Sequence, residues 1–245
     1  IADLVGRRFS IGTIQAVIER ASEAVADVAD TIRTAINQAP AVNADETGWM
    51  DTGQDRPKKR RFWLWGASAQ GLAYFHVAPD RGAAGLSGIL DAEYDGVLMV
   101  DRWRVYESVF GEKRQLCWSH LKREFKSARD RGQAMARAAP GTDLEARGQA
   151  LADFGMRALA IIKAFFRLWR RFKAGDLTRA QLQKRMARHE TAMKGVLTLG
   201  ATLGDKKGAA VSNDLLRQWP ELWRFVDEEG VEPTNNRGER TLRQA

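Results

Sequence analysis

The sequence predicts an α/β protein with a mixed five-stranded sheet and a helical insertion. Strand-like segments crowd residues 42 to 100, and strands then alternate with short helices up to residue 131. This alternation implies that parallel strands are added to an antiparallel set. From residue 140 to 227 only helical spacing is found. The length of 245 residues suits one large domain or a domain with an insertion.

The first element is an amphipathic helix between Ser10 and Gln38, within an amino-terminal segment at residues 1–40. Its apolar residues recur every three to four positions and form one stripe. Pro40 ends the helix. The stripe consists of Ile14, Val17, Ile18, Ala21, Val25, Val28, Ile32 and Ile36.

The core that follows, residues 41–135, begins with three predicted antiparallel strands. They lie around Val42 to Trp49, at Arg61 to Ala67 and at Leu72 to Ala78, and Asp51 to Lys59 forms an exposed hairpin tip between the first two. The tryptophans of these strands are expected to be core residues, with base stacking as the alternative.

Two further strands are expected in the second half of this core. The run Val97 to Val100 is apolar on both faces and belongs in the middle of the sheet. The remaining elements are a helix at Arg81 to Leu90, a helix at Trp103 to Phe110, a strand at Arg114 to Trp118 and a helix at Leu121 to Arg131.

The helical insertion is placed at residues 136–227. One long apolar stripe runs from Leu151 to Phe172, Gly175 ends that helix, Thr178 caps a second helix and Pro220 begins a short third one. The last segment, residues 228–245, is expected to be a truncated helix of about three turns. Its anchoring should be weak, and the chain alone poorly active, because only Leu242 offers a large apolar side chain after residue 239.

Composition and charge indicate the expected compartment and the kind of partner. No apolar run approaches the roughly 18 residues of a membrane span, and the single Cys117 forms no internal disulfide, so a bacterial cytoplasm is the expected compartment. The net charge is +8, and its excess lies between residues 96 and 220. A basic block of this kind indicates a polyanionic partner such as nucleic acid, and the alternative is a solvated helical face.

Three carboxylates stand where an α/β sheet places its ligand sites. Asp45 lies inside the first strand, Asp101 follows the central strand, and Glu239 comes just after a helix start marked by Pro233 and Thr234. Oxygen ligands without a Cys or His cluster suit Mg²⁺ or Mn²⁺. Two such ions would support phosphoryl transfer. The alternative is that these carboxylates are solvated surface groups.

Five ordered motifs connect these positions to a known family. They are ADETGW at 44–49, FWLW at 62–65, GVLMVDR at 96–102, QLCWSHL at 115–121 and EPTNNRGER at 232–240. From about Val5 to Ala245 the chain resembles transposases of the insertion-sequence-66 family. The resemblance implies a ribonuclease-H-like core, a helical insertion before the catalytic Glu, and a metal triad that falls on Asp45, Asp101 and Glu239.

The resemblance also implies metal-dependent cleavage and strand transfer of DNA, with two Mg²⁺ or Mn²⁺ ions. The expected partners are element ends, target DNA and further copies of the chain, in the nucleoid of a bacterial cell. Two alternatives stay open: a DNA-binding remnant without activity, and a ribonuclease-H-like nuclease without strand transfer.

Supporting roles fall on four residues. Asn236 and Arg240 are expected to orient phosphates or the ligating Glu. The resemblance makes Trp118 and His120 candidates near the active site, and the alternatives are a buried aromatic and a hydrogen-bonded histidine at a helix start. The candidate DNA-backbone contacts are Lys58, Lys59, Arg60 and Arg61 in the hairpin, and Arg167, Arg170, Arg171, Lys184, Arg185 and Arg188 in the insertion.

Overall fold

The structure, a computed structural model, describes residue 6 and residues 9–51 and 60–244. Its centre is a mixed five-stranded sheet in the order β3-β2-β1-β4-β5. The strands are β1 (Ala41–Asp51), β2 (Arg60–Ala69), β3 (Leu72–Ala78), β4 (Val97–Val100) and β5 (Arg114–Leu116). The α/β class and the five-stranded sheet are therefore confirmed, and β3 and β4 have the predicted bounds.

Strand pairing follows the hydrophobic pattern. The strands β1, β2 and β3 pair antiparallel, while β1, β4 and β5 pair parallel. All four residues of β4 are buried, as expected for a strand covered on both faces. The predicted core position is confirmed for Trp65. It is wrong for Trp49, which lies near the end of β1 and is 42% exposed.

The helices are α1 (Ile11–Asn37), α2 (Ala83–Ser87), α3 (Arg104–Phe110), α4 (Trp118–Ala138), α5 (Asp143–Lys173), α6 (Arg179–Gly200), α7 (Lys206–Arg217), a 3₁₀ turn (Pro220–Leu222), α8 (Arg224–Asp227) and α9 (Asn236–Gln244). The helix α7 is absent from the sequence prediction. Among the described residues, no helix combines the length and apolar character needed to cross a membrane.

Helix α1 forms as predicted, with the Ser10 hydroxyl accepting the Thr13 N–H over 3.0 Å. Its apolar stripe stays largely outside the core: Ile36 is buried and Ile32 is partly buried, whereas Val25 and Val28 are exposed. Most of the apolar stripe of this helix is therefore exposed to solvent.

The insertion helices pack on the far side of the sheet from α1. Thr178 caps α6 in a reciprocal capping box with Gln181, which confirms the predicted start. Trp118, at the first position of α4, lies with its ring 4.8 Å from Phe165 and 5.0 Å from Trp223. These aromatic contacts join the sheet to the insertion.

Candidate active site

The side chain of Asp45 lies on the sheet face that carries α9, because side chains alternate along β1. Glu46 points to the opposite face, where it accepts hydrogen bonds from the Tyr106 hydroxyl and, over 2.7 Å, from Arg81 Nε. Because Glu46 is already hydrogen-bonded on that face, Asp45 is the carboxylate of this pair that is available to a ligand.

Asp101 follows β4 directly and lies at the edge of a cavity of about 490 Å³. One carboxylate oxygen accepts the Trp103 N–H over 2.8 Å, which fixes the side chain at the strand end. Three guanidinium groups line the same cavity, those of Arg81, Arg102 and Arg123. Glu124 also lines the cavity, so three arginines face two carboxylates there, and this excess of cations is suited to a phosphodiester substrate.

Glu239 reaches this region from α9. Its Oε1 atom lies 3.7 Å from His120 Nε2 and 3.6 Å from an Arg123 nitrogen, and Oε2 lies 3.8 Å from an Arg243 nitrogen. Although Oε1 is buried, it has no hydrogen-bond partner. Burial and the nearby Arg123 lower the pKa of His120, so its contact with Glu239 is not an ion pair at neutral pH.

Electrostatic repulsion links the three carboxylates. Burial, followed by the neighbouring charges of Glu46 and Asp101, raises the pKa of Asp45 to about 7, and Glu239 adds a smaller repulsion. Negative groups at the end of β4 and on α9 therefore both act on Asp45 of β1. Such a cluster is destabilising unless a proton or a cation compensates its charge.

The donor set fits a hard divalent cation. Asp45, Asp101 and Glu239 offer carboxylate oxygens, which Mg²⁺ and Mn²⁺ prefer, and the buried Oε1 of Glu239 lacks a hydrogen-bond partner. Over the described ranges, no three His, Cys, Asp or Glu side chains already stand close enough together to hold a metal ion. Their convergence on one ion stays a prediction.

Asn235 is a residue whose structural role the sequence reasoning missed. It is fully buried, and its Nδ2 donates to the Ala44 carbonyl over 2.7 Å while its Oδ1 accepts from Asn43 over 2.9 Å. Its backbone N–H donates to Cys117 Sγ, and its carbonyl accepts the Glu239 N–H. The side chain of Asn235 therefore binds β1, while its backbone binds Cys117, just before α4, and the helix of Glu239.

The sequence places the start of the Glu239 helix at Pro233 and Thr234, and this prediction is wrong. The helix begins at Asn236 rather than at Thr234, so Asn235 precedes it and turns toward the sheet. A Cβ atom at Gly238 would lie 2.6 Å from Asn235 Oδ1. The absence of a side chain at position 238 leaves room for this arrangement.

The other predicted supporting residues differ in their burial and in the residues they contact. Asn236 Oδ1 accepts a hydrogen bond from the Ser119 hydroxyl over 3.1 Å. Arg240 is exposed, and the cations within 4 Å of Glu239 are Arg123 and Arg243 instead. Trp118 is a buried core residue whose Nε1 donates to the Leu222 carbonyl, as the buried alternative expects, and a role near the active site stays a prediction.

The predicted DNA contacts are at the surface wherever the structure describes them. Arg60 lies over Phe62 and Arg61 over Trp63, whereas Lys58 and Lys59 lie outside the described residues. The insertion residues on α5 and α6 are all exposed, namely Arg167, Arg170, Arg171, Lys184, Arg185 and Arg188. Their exposure is compatible with phosphate contact and with simple solvation alike.

A comparison with protein-family models places the chain in a known family. The family model described as "Transposase IS66 family" matches residues 1–245, the whole chain. No curated protein sequence is similar to it.

Proposed function

The chain belongs to the IS66 transposase family, and on that premise we propose that it cleaves DNA and transfers the cut strand by a metal-dependent reaction at Asp45, Asp101 and Glu239. Family membership supports a transposase role and implies DNA binding. The proposal adds a ribonuclease-H-like core, consistent with three antiparallel strands extended by two parallel ones, and the specific catalytic triad.

The observation that carries this proposal is that two carboxylates from distant chain segments both act on the buried Asp45. Asp101 and Glu239 both contribute to the raised pKa of Asp45. Isolated surface carboxylates show no such coupling. Two bound Mg²⁺ or Mn²⁺ ions would activate the nucleophile and stabilise the leaving oxygen.

The chain's own residues supply the rest of the proposed site. Asp45, Asp101 and Glu239 would hold the ions, while Arg123, together with Arg81 and Arg102, would bind phosphate oxygens in the cavity beside Asp101. Asn235 keeps the helix of Glu239 against β1. The burial of Glu239, which is 22% exposed, limits the access of water to its carboxylate.

In the proposed reaction, water attacks the phosphodiester at the element end, which leaves a 3′ hydroxyl on the element and a 5′ phosphate on the flank. The freed 3′ hydroxyl then attacks a phosphodiester of target DNA. One P–O bond forms and one breaks in each step, and the departing 3′ oxygen takes up a proton.

The proposed setting is bacterial DNA in the cytoplasm, with several copies of the chain assembled on it. The exposed apolar residues of α1 support assembly, because Val17, Ile18, Val25 and Val28 lie on one helix face and are at least half exposed. A second copy of the chain would cover them.

The test is an end-joining assay. Labelled DNA carrying the ends of the mobile element that encodes the chain is incubated with supercoiled plasmid and Mg²⁺, and label joined to the plasmid is measured. The unmodified chain should join label, whereas Asp45→Asn should not, and the exposed control Asp153→Asn should match the unmodified chain. Binding without any turnover would instead favour an inactive remnant, and cleavage without joining would favour a nuclease.

A further inference from the structure

A groove between α4 and α5 is separate from the cavity beside Asp101. At one end of this helix pair the backbones touch, since a Cβ atom at Gly132 would lie 2.4 Å from the Ala152 nitrogen. Toward the other end of the pair, an open space of about 710 Å³ lies between α4, α5 and residues 232–236.

The groove has an apolar floor and a basic rim. Leu159, Ile162, Phe166 and Trp169 form part of its floor, and the ring of Phe166 is only partly buried. Four exposed cations line it: Lys122 and Lys126 on α4, and Lys163 and Arg170 on α5.

These four cations are available to a ligand. Within the described ranges none of them forms an ion pair, whereas the other charged lining residues are already paired, Arg129 with Asp130 and Glu232 with Lys173, over 2.7 Å in each case. Unpaired cations facing each other across an apolar floor attract an anion that also has an apolar part.

The groove ends beside the helix of Glu239. Ser119 and Asn236 both line it and are joined by the hydrogen bond described above. Ser119 is followed by His120, which contacts Glu239, and Asn236 begins the helix that carries Glu239. A strand lying in the groove would therefore reach the carboxylate triad without crossing the sheet.

We propose that this groove binds single-stranded DNA next to the active site. The phosphates contact Lys122, Lys126, Lys163 and Arg170, and a base stacks on Phe166. A space of this size suits an unpaired nucleotide or two, and a basic groove with an aromatic side chain is typical of single-strand binding. The inference rests on the proposed function, because it assigns a path to a strand that leads to the cleavage site.

The test measures binding by fluorescence anisotropy with EDTA present, so that it does not depend on turnover. The probes are a short labelled single strand of mixed sequence and the blunt duplex of the same sequence. The variants are Lys122→Gln/Lys126→Gln and Phe166→Leu. Arg20→Gln/Lys206→Gln, at exposed positions on α1 and α7, removes the same charge outside the groove and serves as the control.

The groove double variant should lose about tenfold in affinity for the single strand and much less for the duplex. Phe166→Leu keeps an apolar side chain but removes the aromatic face, so it should lose about fivefold for the single strand only. The control should leave the ratio of the two affinities unchanged. Equal losses for both probes, or an unchanged single-strand affinity, would overturn the proposal and leave the end-joining test of Asp45 intact.

Discussion

Asn235 Nδ2 donates a hydrogen bond to the Ala44 carbonyl over 2.7 Å, and Ala44 is the residue before Asp45. The same asparagine accepts the first backbone hydrogen bond of the Glu239 helix. The strand of one candidate ligand and the helix of another are thus held together by a buried amide. This contact makes the placement of Glu239 depend on a residue with no catalytic chemistry.

Replacing Asn235 with alanine should therefore affect both stability and activity. The change leaves the Ala44 carbonyl and Asn43 without their buried partners, and each such loss costs about 1–3 kcal/mol. Urea denaturation should show a loss of roughly 2–4 kcal/mol in the free energy of unfolding. The neighbouring Asn236→Ala, at an exposed position, is the control and should lose less than about 1 kcal/mol. Equal effects of the two variants would contradict the anchoring role.

Asp45 should make the metal-free protein less stable as the pH rises. Its folded-state pKa of about 7 lies above the ordinary value of 3.8, so the folded state holds this proton more tightly than the unfolded state. The stability from this group is complete below about pH 4 and is lost as the pH rises through 7. Asp45→Asn should thus be about 2–4 kcal/mol more stable than the unmodified chain at pH 8, and this gain should shrink toward pH 4.

The control for this pH dependence is Asp95→Asn. The hydrogen bond from Lys113 lowers the pKa of Asp95, so the sign is opposite and its removal should give no gain at pH 8. Denaturation curves at several pH values with EDTA present measure both variants. A pH-independent difference between Asp45→Asn and the unmodified chain would show that Asp45 does not titrate as described.

The cations of α5 should set part of the salt dependence of DNA binding. If Arg167, Arg170 and Arg171 contact phosphates, each replacement by Gln should flatten the slope of log affinity against log salt by about 0.9. Arg20→Gln on α1, also exposed, is the matched single-charge control and should leave the slope unchanged. Slopes that are the same for all four variants would indicate that these arginines only solvate α5.

The sequence predicts the elements whose pattern is local and fails where tertiary contacts decide. The run at β4 and the cap at Thr178 could be predicted because periodicity and capping chemistry depend on neighbours in the chain. The helix α7 was missed because its apolar positions are few and its packing determines it. Asn235 could not be assigned its role, since a buried amide is recognised only by the partners that distant segments bring to it.

The residues of the candidate site also differ in how far the sequence alone predicts them. Asp101 is indicated by its place after the central strand, whereas the choice of Asp45, inside β1, and of Glu239, after a helix start, is strengthened by the family resemblance. Arg81 and Arg123 could not be assigned to the cavity beside Asp101, because they are far from Asp101 in the chain. Only the folded arrangement brings their side chains there.

The measurement that tests the central claim most directly is Mn²⁺ binding by isothermal titration calorimetry. Asp45→Asn, Asp101→Asn and Glu239→Gln are compared with the unmodified chain and with the exposed control Asp153→Asn. If the three carboxylates share one metal site, each triad variant should weaken Mn²⁺ binding by about tenfold or more, and the control should not. Binding should also release a proton near pH 7, because the pKa of Asp45 is about 7. The same Mn²⁺ affinity in all five proteins would contradict the account.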